Sequence, residues 1–263
     1  MKILTLNCHS WQEEKQLQKI KYLAKVIYEK KYDVIALQEV SQSIKSEKVL
    51  NNIKEDNFVF ILLQELKKIG EDNFQFIWDF AHIGYDKYEE GIALLTKHPI
   101  KEKNTFYISN SSDIHFWKTR KIVKCTIPYK DKFISFYSCH LGWWNDKEEK
   151  FDFQVNNLIE SLKKDEINLF MGDFNNDAFK RREGYDYLIE KGLKDTFYMA
   201  KSKDKGVTAI GEIDGWEGNS KDMRLDLILA NKELEVEYSK VIFNGKNKDI
   251  ISDHYGVEIK IDM

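Results

Sequence analysis

Gly172-Asp173-Phe174-Asn175 follows directly on the apolar run Ile167 to Met171, and Ser252-Asp253-His254 stands near the end of the chain. Asp173 and Asn175 are two apart, so on an extended backbone their side chains share a face. Asp253 and His254 are adjacent, so they diverge unless a turn intervenes. Asn7 closes the run Leu4-Thr5-Leu6-Asn7, Glu39 follows Ala36-Leu37-Gln38, His140 follows Ser138-Cys139, and Asp226 follows Arg224-Leu225. Carboxylates, amides and imidazoles of this kind can together hold a metal ion, a water and a phosphate. Taken singly, each has a plainer reading. Asn7 ends a strand, Glu39 makes an ion pair, and His140 is a satisfied core histidine. Asp173 and Asn175 form an Asx turn, Asp226 pairs with Arg224, and Asp253-His254 caps a turn.

The elements that must carry these groups alternate at first between helix and strand. Leu17, Ile20, Leu23, Ala24 and Ile27 fall on one stripe and predict a helix over 15–30. Residues 33–39 then read as a buried strand with polar residues at its far end, and 57–69 as a helix. Residues 75–82, 91–97 and 100–108 read as strands. Residues 121–127 and 132–140 form a hairpin about the turn Pro128-Tyr129-Lys130-Asp131. A helix over 147–164 turns Phe151, Val155, Leu158, Ile159 and Leu162 inward, with Asn145 or Asp146 as its cap. Strands at 167–172, 223–230, 235–243 and 255–261 and a short helix near 184–191 complete the pattern. Ala200 to Asp222 shows no periodicity, and a loop that long is usually functional or mobile.

Composition narrows the setting. The 263 residues are 42% hydrophobic and 32% charged, with only 2 prolines and no Ser/Gly/Pro-rich divider. One domain over 1–263 is the expectation. No apolar run approaches the length of a membrane span. The start, Met1-Lys2-Ile3-Leu4-Thr5, reads as a strand and not as a leader. Cys8, Cys125 and Cys139 have no metal-type spacing, which points to a reduced, cytoplasmic setting. With 41 basic and 44 acidic side chains the net charge is −3, which does not advertise a nucleic-acid binder. The sequence leaves oligomeric state open.

In order along the chain, the blocks around Asn7, Glu39, His140, Gly172-Asp173-Phe174-Asn175, Arg224-Leu225-Asp226 and Ser252-Asp253-His254 closely resemble the endonuclease/exonuclease/phosphatase superfamily. The resemblance spans essentially the whole chain. It implies a four-layer α/β/β/α sandwich of two packed mixed sheets, as in deoxyribonuclease I. It also implies roles. Glu39 is the main ligand of a divalent metal, with Asn7 and Asp253 beside it; oxygen donors suit Mg²⁺, with Mn²⁺ as the other candidate. Asp173 orients and activates the attacking water and Asn175 holds a phosphate oxygen. His254, steadied by Asp226, is the second catalytic group, and His140 binds or protonates the phosphate. Two looser blocks add Tyr88 as a phosphate contact, Glu90 as the residue that orients His140, and Arg120 as a phosphate-binding arginine.

Substrate must come from the surroundings of that core. Leu141-Gly142-Trp143-Trp144-Asn145 and Ile213-Asp214-Gly215-Trp216-Glu217-Gly218-Asn219 both fall at the expected rim. Trp143, Trp144 and Trp216 would stack on sugar faces or bases, and Asn219 with the acids would hydrogen-bond hydroxyls; the plainer reading packs the tryptophans under loops. With the segments 5–11 and 81–86, these loops resemble a bacterial subgroup of the superfamily that includes a maltose 6'-phosphate phosphatase. The expectation is a cytoplasmic Mg²⁺-dependent phosphomonoesterase acting on a small phosphate, a sugar phosphate foremost, with no membrane partner. A deoxyribonuclease I-like endonuclease is the alternative. It needs lysines flanking the pocket, for which Lys201, Lys203 and Lys205 are the candidates. A sphingomyelinase-like lipid enzyme fits less well, and a non-catalytic binding module on the same fold is the last alternative.

Overall fold

A computed structural model describes residues 1–163 and 165–262. Two large sheets dominate it. The first is ordered Ser202–Lys203, Glu235–Ile242, Gly256–Asp262, Lys2–Asn7, Val34–Ser43, Tyr88–Thr96, Gln75–Gly84. The second is ordered Lys194–Asp195, Asp226–Ala230, Ile167–Asp173, Lys132–His140, Lys121–Tyr129, Glu102–Tyr107. Both are mixed. Lys2–Asn7 runs parallel to Val34–Ser43, and Ile167–Asp173 parallel to Lys132–His140, while their other long neighbours run antiparallel.

Period-2 alternation assigns the layers. Leu4, Leu6, Ile35 and Leu37 face the helices Gln16–Lys30 and Phe58–Lys68. Their neighbours Ile3, Val34 and Ala36 face the other way, and meet Phe136, Leu169, Met171 and Ile228 of the second sheet in a shared core. Tyr137, Cys139 and Phe170 of the second sheet face outward onto Phe151, Val155 and Leu158 of helix Phe151–Glu160 and Leu188 of helix Gly184–Glu190. The result is helices, sheet, sheet, helices: a four-layer sandwich in which successive side chains of one strand serve different layers.

Local departures from the sequence pattern have identifiable causes. The helix expected over 147–164 runs only from Phe151 to Glu160, and Lys164 lies outside the described residues. Its expected first turn is used elsewhere. The Asp146 carboxylate accepts from the backbone N–H groups of Glu148 and Glu149 and pairs with Lys118 at 2.6 Å, so it caps a tight turn before the helix. Glu149 accepts from the backbone of Asn110 and Ser111. Leu17, expected on the buried stripe, is 60% exposed. The hairpin pairs through Tyr129 and Lys132, so Pro128 lies in the ladder opposite Phe133 and the turn is two residues long. Gly172 permits a close approach of strands: a Cβ there would lie 1.9 Å from the Cys139 carbonyl oxygen. Among the described residues no helix is long and apolar enough to cross a membrane, and Cys8, Cys125 and Cys139 are free and buried.

Candidate active site

Strand register places the polar residues. In the second sheet Asp173 lies opposite His140 on one side and Asp226 on the other, so three candidate groups form a row at one end. In the first sheet Asn7 lies opposite Gln38. Glu39 falls where the pairing of Val34–Ser43 with Tyr88–Thr96 slips between Leu37 and Val40, and its backbone is left-handed at φ 51°. That bulge lets the next side chain leave the strand's alternation. Asn175 (φ 49°) and His9 (φ 43°) share this costly conformation, so three positions around the cluster hold strained backbone. The sheets are pinned together here, because Ser138 Oγ accepts from Gln38 Nε2 at 3.0 Å and donates to the Leu37 carbonyl at 3.1 Å.

Asn7 ties the two halves. Its Nδ2 donates to Glu39 Oε1 at 2.8 Å and to Asp173 Oδ2 at 3.3 Å, while its Oδ1 accepts from the His9 N–H at 3.1 Å. Asp173 Oδ2 in turn lies 3.7 Å from both His140 Nε2 and His254 Nε2. Its other oxygen accepts from the Asn175 N–H at 2.8 Å. His254 Nδ1 lies 2.8 Å from Asp226 Oδ2, so the ring is held with Nε2 toward Asp173. Asp253 and His254 do diverge. Asp253 lies 3.5 Å from His9 and accepts from the Asp214 N–H at 3.4 Å, whereas His254 faces the Asp226–Asp173 row.

Electrostatics separate these groups. Burial, then the charges of Glu90 and Asp253, push the Glu39 carboxyl up to about 8, against the pull of His9 and Asn7. Burial likewise raises Asp173 to about 6, opposed by His254. Burial works against charge on His254, yet Asp226 and Asp173 hold it well above the ordinary imidazole value. Burial, together with Arg120, His82 and His254, drives His140 well below that value. In the free protein the surroundings therefore disfavour charge on His140 and favour it on His254. The carboxylate oxygens of Glu39 and Asp173, bridged by the Asn7 amide, are donors that fit a hard divalent cation. Glu39, His140 and Asp173 present ligand atoms within 4.8 Å of one another, as do His9, Glu13 and Asp253.

These residues open on a cavity of about 610 Å³. Glu39, His140, Asp173, Asn175 and His254 line it, together with Arg120, Trp117 and Trp143. Arg120 is buried, its Nη1 donates to the Trp117 carbonyl at 3.2 Å, and its Nε has no partner among the described residues. The lining also includes the exposed Tyr85, Asp214 and Glu217, and Asp146 paired with Lys118. Gly215, at φ 75°, lets the late loop press on the Trp143 indole, where a Cβ would come within 2.8 Å of the ring.

Several expected contacts are not made. Tyr88 is off the cavity wall: its strand starts three residues earlier than the apolar pattern shows, and Tyr88 pairs with Ser43 and Gly84 while Lys87 covers its ring. Tyr85 stands on the wall instead. Glu90 faces His82 Nε2 at 3.4 Å and makes no ion pair with His140. Trp144 packs on Phe151 and Tyr187 outside the cavity, the plainer of its two readings. Asn219 uses its amide on the Gly211 and Lys221 carbonyls. Trp216 is not on the wall; its Nε1 donates to Asn175 Oδ1 at 3.0 Å. Asp253 is also off the wall, beside His9. Sequence reasoning missed His82, Tyr85, Trp117 and Lys118 as lining residues. Their positions follow from which loops meet across the cleft, and no local pattern carries that.

Two packed mixed sheets with an acid–amide–imidazole cluster at one shared end define a protein of the deoxyribonuclease I-like fold class. The sequence model of the endonuclease/exonuclease/phosphatase family matches residues 4–254. The chain belongs to that family, whose members are metal-dependent and act on phosphate esters. Among solved structures, a family protein from Leptotrichia buccalis is 42% identical with a TM-score of 0.95, over 100% of both chains. A mannosyl-6-phosphatase of Bacteroides thetaiotaomicron is 16% identical with a TM-score of 0.71, over 100% of both. A 3'-5' exonuclease from Neisseria meningitidis is 15% identical with a TM-score of 0.66, again over 100% of both. The last two show the fold alone. No curated protein matches the sequence.

Proposed function

We propose that this protein is a cytoplasmic Mg²⁺-dependent phosphatase that hydrolyses a small phosphomonoester, a sugar phosphate foremost. One observation carries the reading. A single cavity of about 610 Å³ joins the buried carboxylate–imidazole row to a buried arginine with no carboxylate within ion-pair reach among the described residues. That volume suits a small molecule. Beyond the arginine the exposed acids of the lining are Asp214 and Glu217, which disfavours a polyanion. Lys118, the other basic group on the wall, is paired with Asp146 and Glu148. Of the lysines a nuclease would use, Lys201 pairs with Glu235, Lys203 lies over Phe197 and Tyr198, and none of Lys201, Lys203 and Lys205 lines the cavity. The free, buried cysteines support a reduced compartment.

In this reading Arg120 and the Asn175 amide bind the phosphate oxygens, with His140 beside them. Glu39, with Asn7 and Asp253 next to it, would hold Mg²⁺, which when bound supplies positive charge against the ester's oxygens. Asp173 orients a water for attack on phosphorus and takes its proton. The P–O bond to the alcohol breaks, the leaving oxygen takes a proton from a solvent water, and Asp173 returns its own to solvent. His254, kept in one orientation by Asp226, holds a charge against Asp173 as negative charge builds on the phosphate. Trp117 and Trp143, with the exposed acids of the lining, receive the alcohol portion, where an apolar face and hydrogen-bond acceptors suit a sugar.

Asp173→Ala and Glu39→Ala should each abolish Mg²⁺-dependent phosphate release from sugar phosphates while leaving the folded state intact by circular dichroism. Variants that keep full activity would end the assignment of this site. Rapid nicking of plasmid DNA by the wild type, without phosphate release from sugars, would favour the nuclease reading.

A further inference from the structure

Trp216 lies in a segment without sequence periodicity, yet it reaches the centre of the site through Asn175. Its ring packs on Ala209, Ile213, Met223 and Leu225. Its indole N–H, which can only donate, points at Asn175 Oδ1 at 3.0 Å. On the other side of the same amide, Asn175 Nδ2 donates to the Leu141 carbonyl at 2.9 Å, a group that can only accept. Turned over, the amide would set N–H against N–H and oxygen against oxygen. The hydrogen-bond network therefore admits one orientation. In it one amide hydrogen of Asn175, a residue that lines the cavity, is left without a partner among the described residues, and its oxygen, which would repel a phosphate, is tied back. The backbone of Asn175 is fixed as well, at φ 49° with its N–H on Asp173.

We propose that Trp216 is a positioning residue for phosphate binding, acting by orienting the Asn175 amide so that a donor, and not an acceptor, faces the anion. The inference rests on the phosphatase reading above. The loop that carries Trp216 also touches the carboxylate side, because the Asp214 N–H reaches Asp253 Oδ2 at 3.4 Å and the Asp214 carboxylate takes the Tyr85 hydroxyl. The segment Ile213 to Trp216 thus bears on both halves of the site. A purely structural tryptophan plugging the small apolar cluster would need no hydrogen-bond partner among the phosphate-binding groups.

The test is a double-mutant cycle read in affinity for inorganic phosphate with Mg²⁺ present, so that no turnover is required. Trp216→Phe keeps an aromatic ring in the cluster and removes the N–H; replacing Trp216 by β-(3-benzothienyl)alanine keeps the bicyclic shape as well. Each should weaken phosphate binding about tenfold, as should Asn175→Ala. The combination of Trp216→Phe with Asn175→Ala should be no weaker than Asn175→Ala alone within about twofold. The Trp216 indole resonance, identified by its loss in Trp216→Phe, should move upfield in Asn175→Ala. Unchanged phosphate affinity in both tryptophan replacements, additive losses in the cycle, or an unmoved indole resonance would each overturn the proposal. A wild type that neither binds phosphate nor hydrolyses esters would instead remove the functional reading beneath it.

Discussion

Replacing Arg120 by methionine should move stability and activity in opposite directions. The side chain is 3% exposed, lies 5.6 Å from the Trp143 ring centre, and its guanidinium makes a single hydrogen bond among the described residues, to the Trp117 carbonyl. In the free protein its desolvation is thus poorly compensated, and burial already holds its pKa below the ordinary guanidinium value. Methionine fills similar space without the charge. Thermal stability without ligand should rise by about 1–2 kcal/mol, or roughly 2–4 °C in melting temperature for a chain of this size. With substrate the sign reverses. Two charge-assisted hydrogen bonds to phosphate, at about 1.5–3 kcal/mol each, correspond to a loss of about 10²–10⁴ in kcat/KM. Saturating inorganic phosphate at about 100 times its Kd should stabilise the wild type by about 2.7 kcal/mol and the variant far less. Arg120→Lys should fall between, because it keeps charge without the planar fork. Melts with and without phosphate, beside phosphate-release kinetics, give both quantities. An Arg120→Met protein that melts lower and keeps kcat/KM within about threefold would show that Arg120 neither costs stability nor binds the phosphate.

Asp226→Asn should lower kcat by about 10²–10⁴ at unchanged fold, since an amide cannot hold the charged His254 ring in its present orientation; kinetics and circular dichroism together check it. Mg²⁺ binding should release a proton near pH 6.5. Burial and the charges of Glu90 and Asp253 raise Glu39 to about 8, so the free protein keeps that proton below pH 8, whereas the cation needs the carboxylate. Affinity should therefore climb with pH and level off above about 8, and calorimetry in buffers of different protonation enthalpy would show no release if Glu39 is not the ligand. The same raised value means that Glu39 lowers stability as pH rises from its unfolded value toward 8, a slope Glu39→Gln should remove in melts run with chelator. Replacing Lys201, Lys203 and Lys205 together by alanine should leave phosphatase activity within about twofold, with weak salt dependence; a large loss would favour a polyanionic substrate.

Much of the arrangement was legible because strand ends are legible. The apolar runs before Asp173, His140 and Asp226 mark buried strands, and two packed sheets bring such ends together. What could not be read was the local geometry that re-aims a side chain. Glu39 reaches the site through a bulge and a left-handed backbone, and a run of Val-Ile-Ala-Leu-Gln gives no sign of either. Tyr88 and Tyr85 exchange places because the strand starts before its apolar pattern does. Glu90 meets His82 and not His140, because the neighbour of a strand-end carboxylate is chosen by the facing strand. The tryptophans are the clearest case. Trp143, Trp144 and Trp216 look alike as rim residues, yet one faces the cavity, one packs against a helix and one holds an amide. The 200–222 segment shows no period because its short pairings, Ser202–Lys203 and Ala209–Ile210, are two residues long.

The most direct measurement is phosphate release by the purified wild type from a panel of sugar monophosphates, with Mg²⁺ and then with chelator, beside a plasmid-nicking assay under the same conditions. Release from at least one sugar phosphate that chelator abolishes, with the plasmid intact, is the expected result. Silence across the panel with rapid nicking of the plasmid would contradict the account.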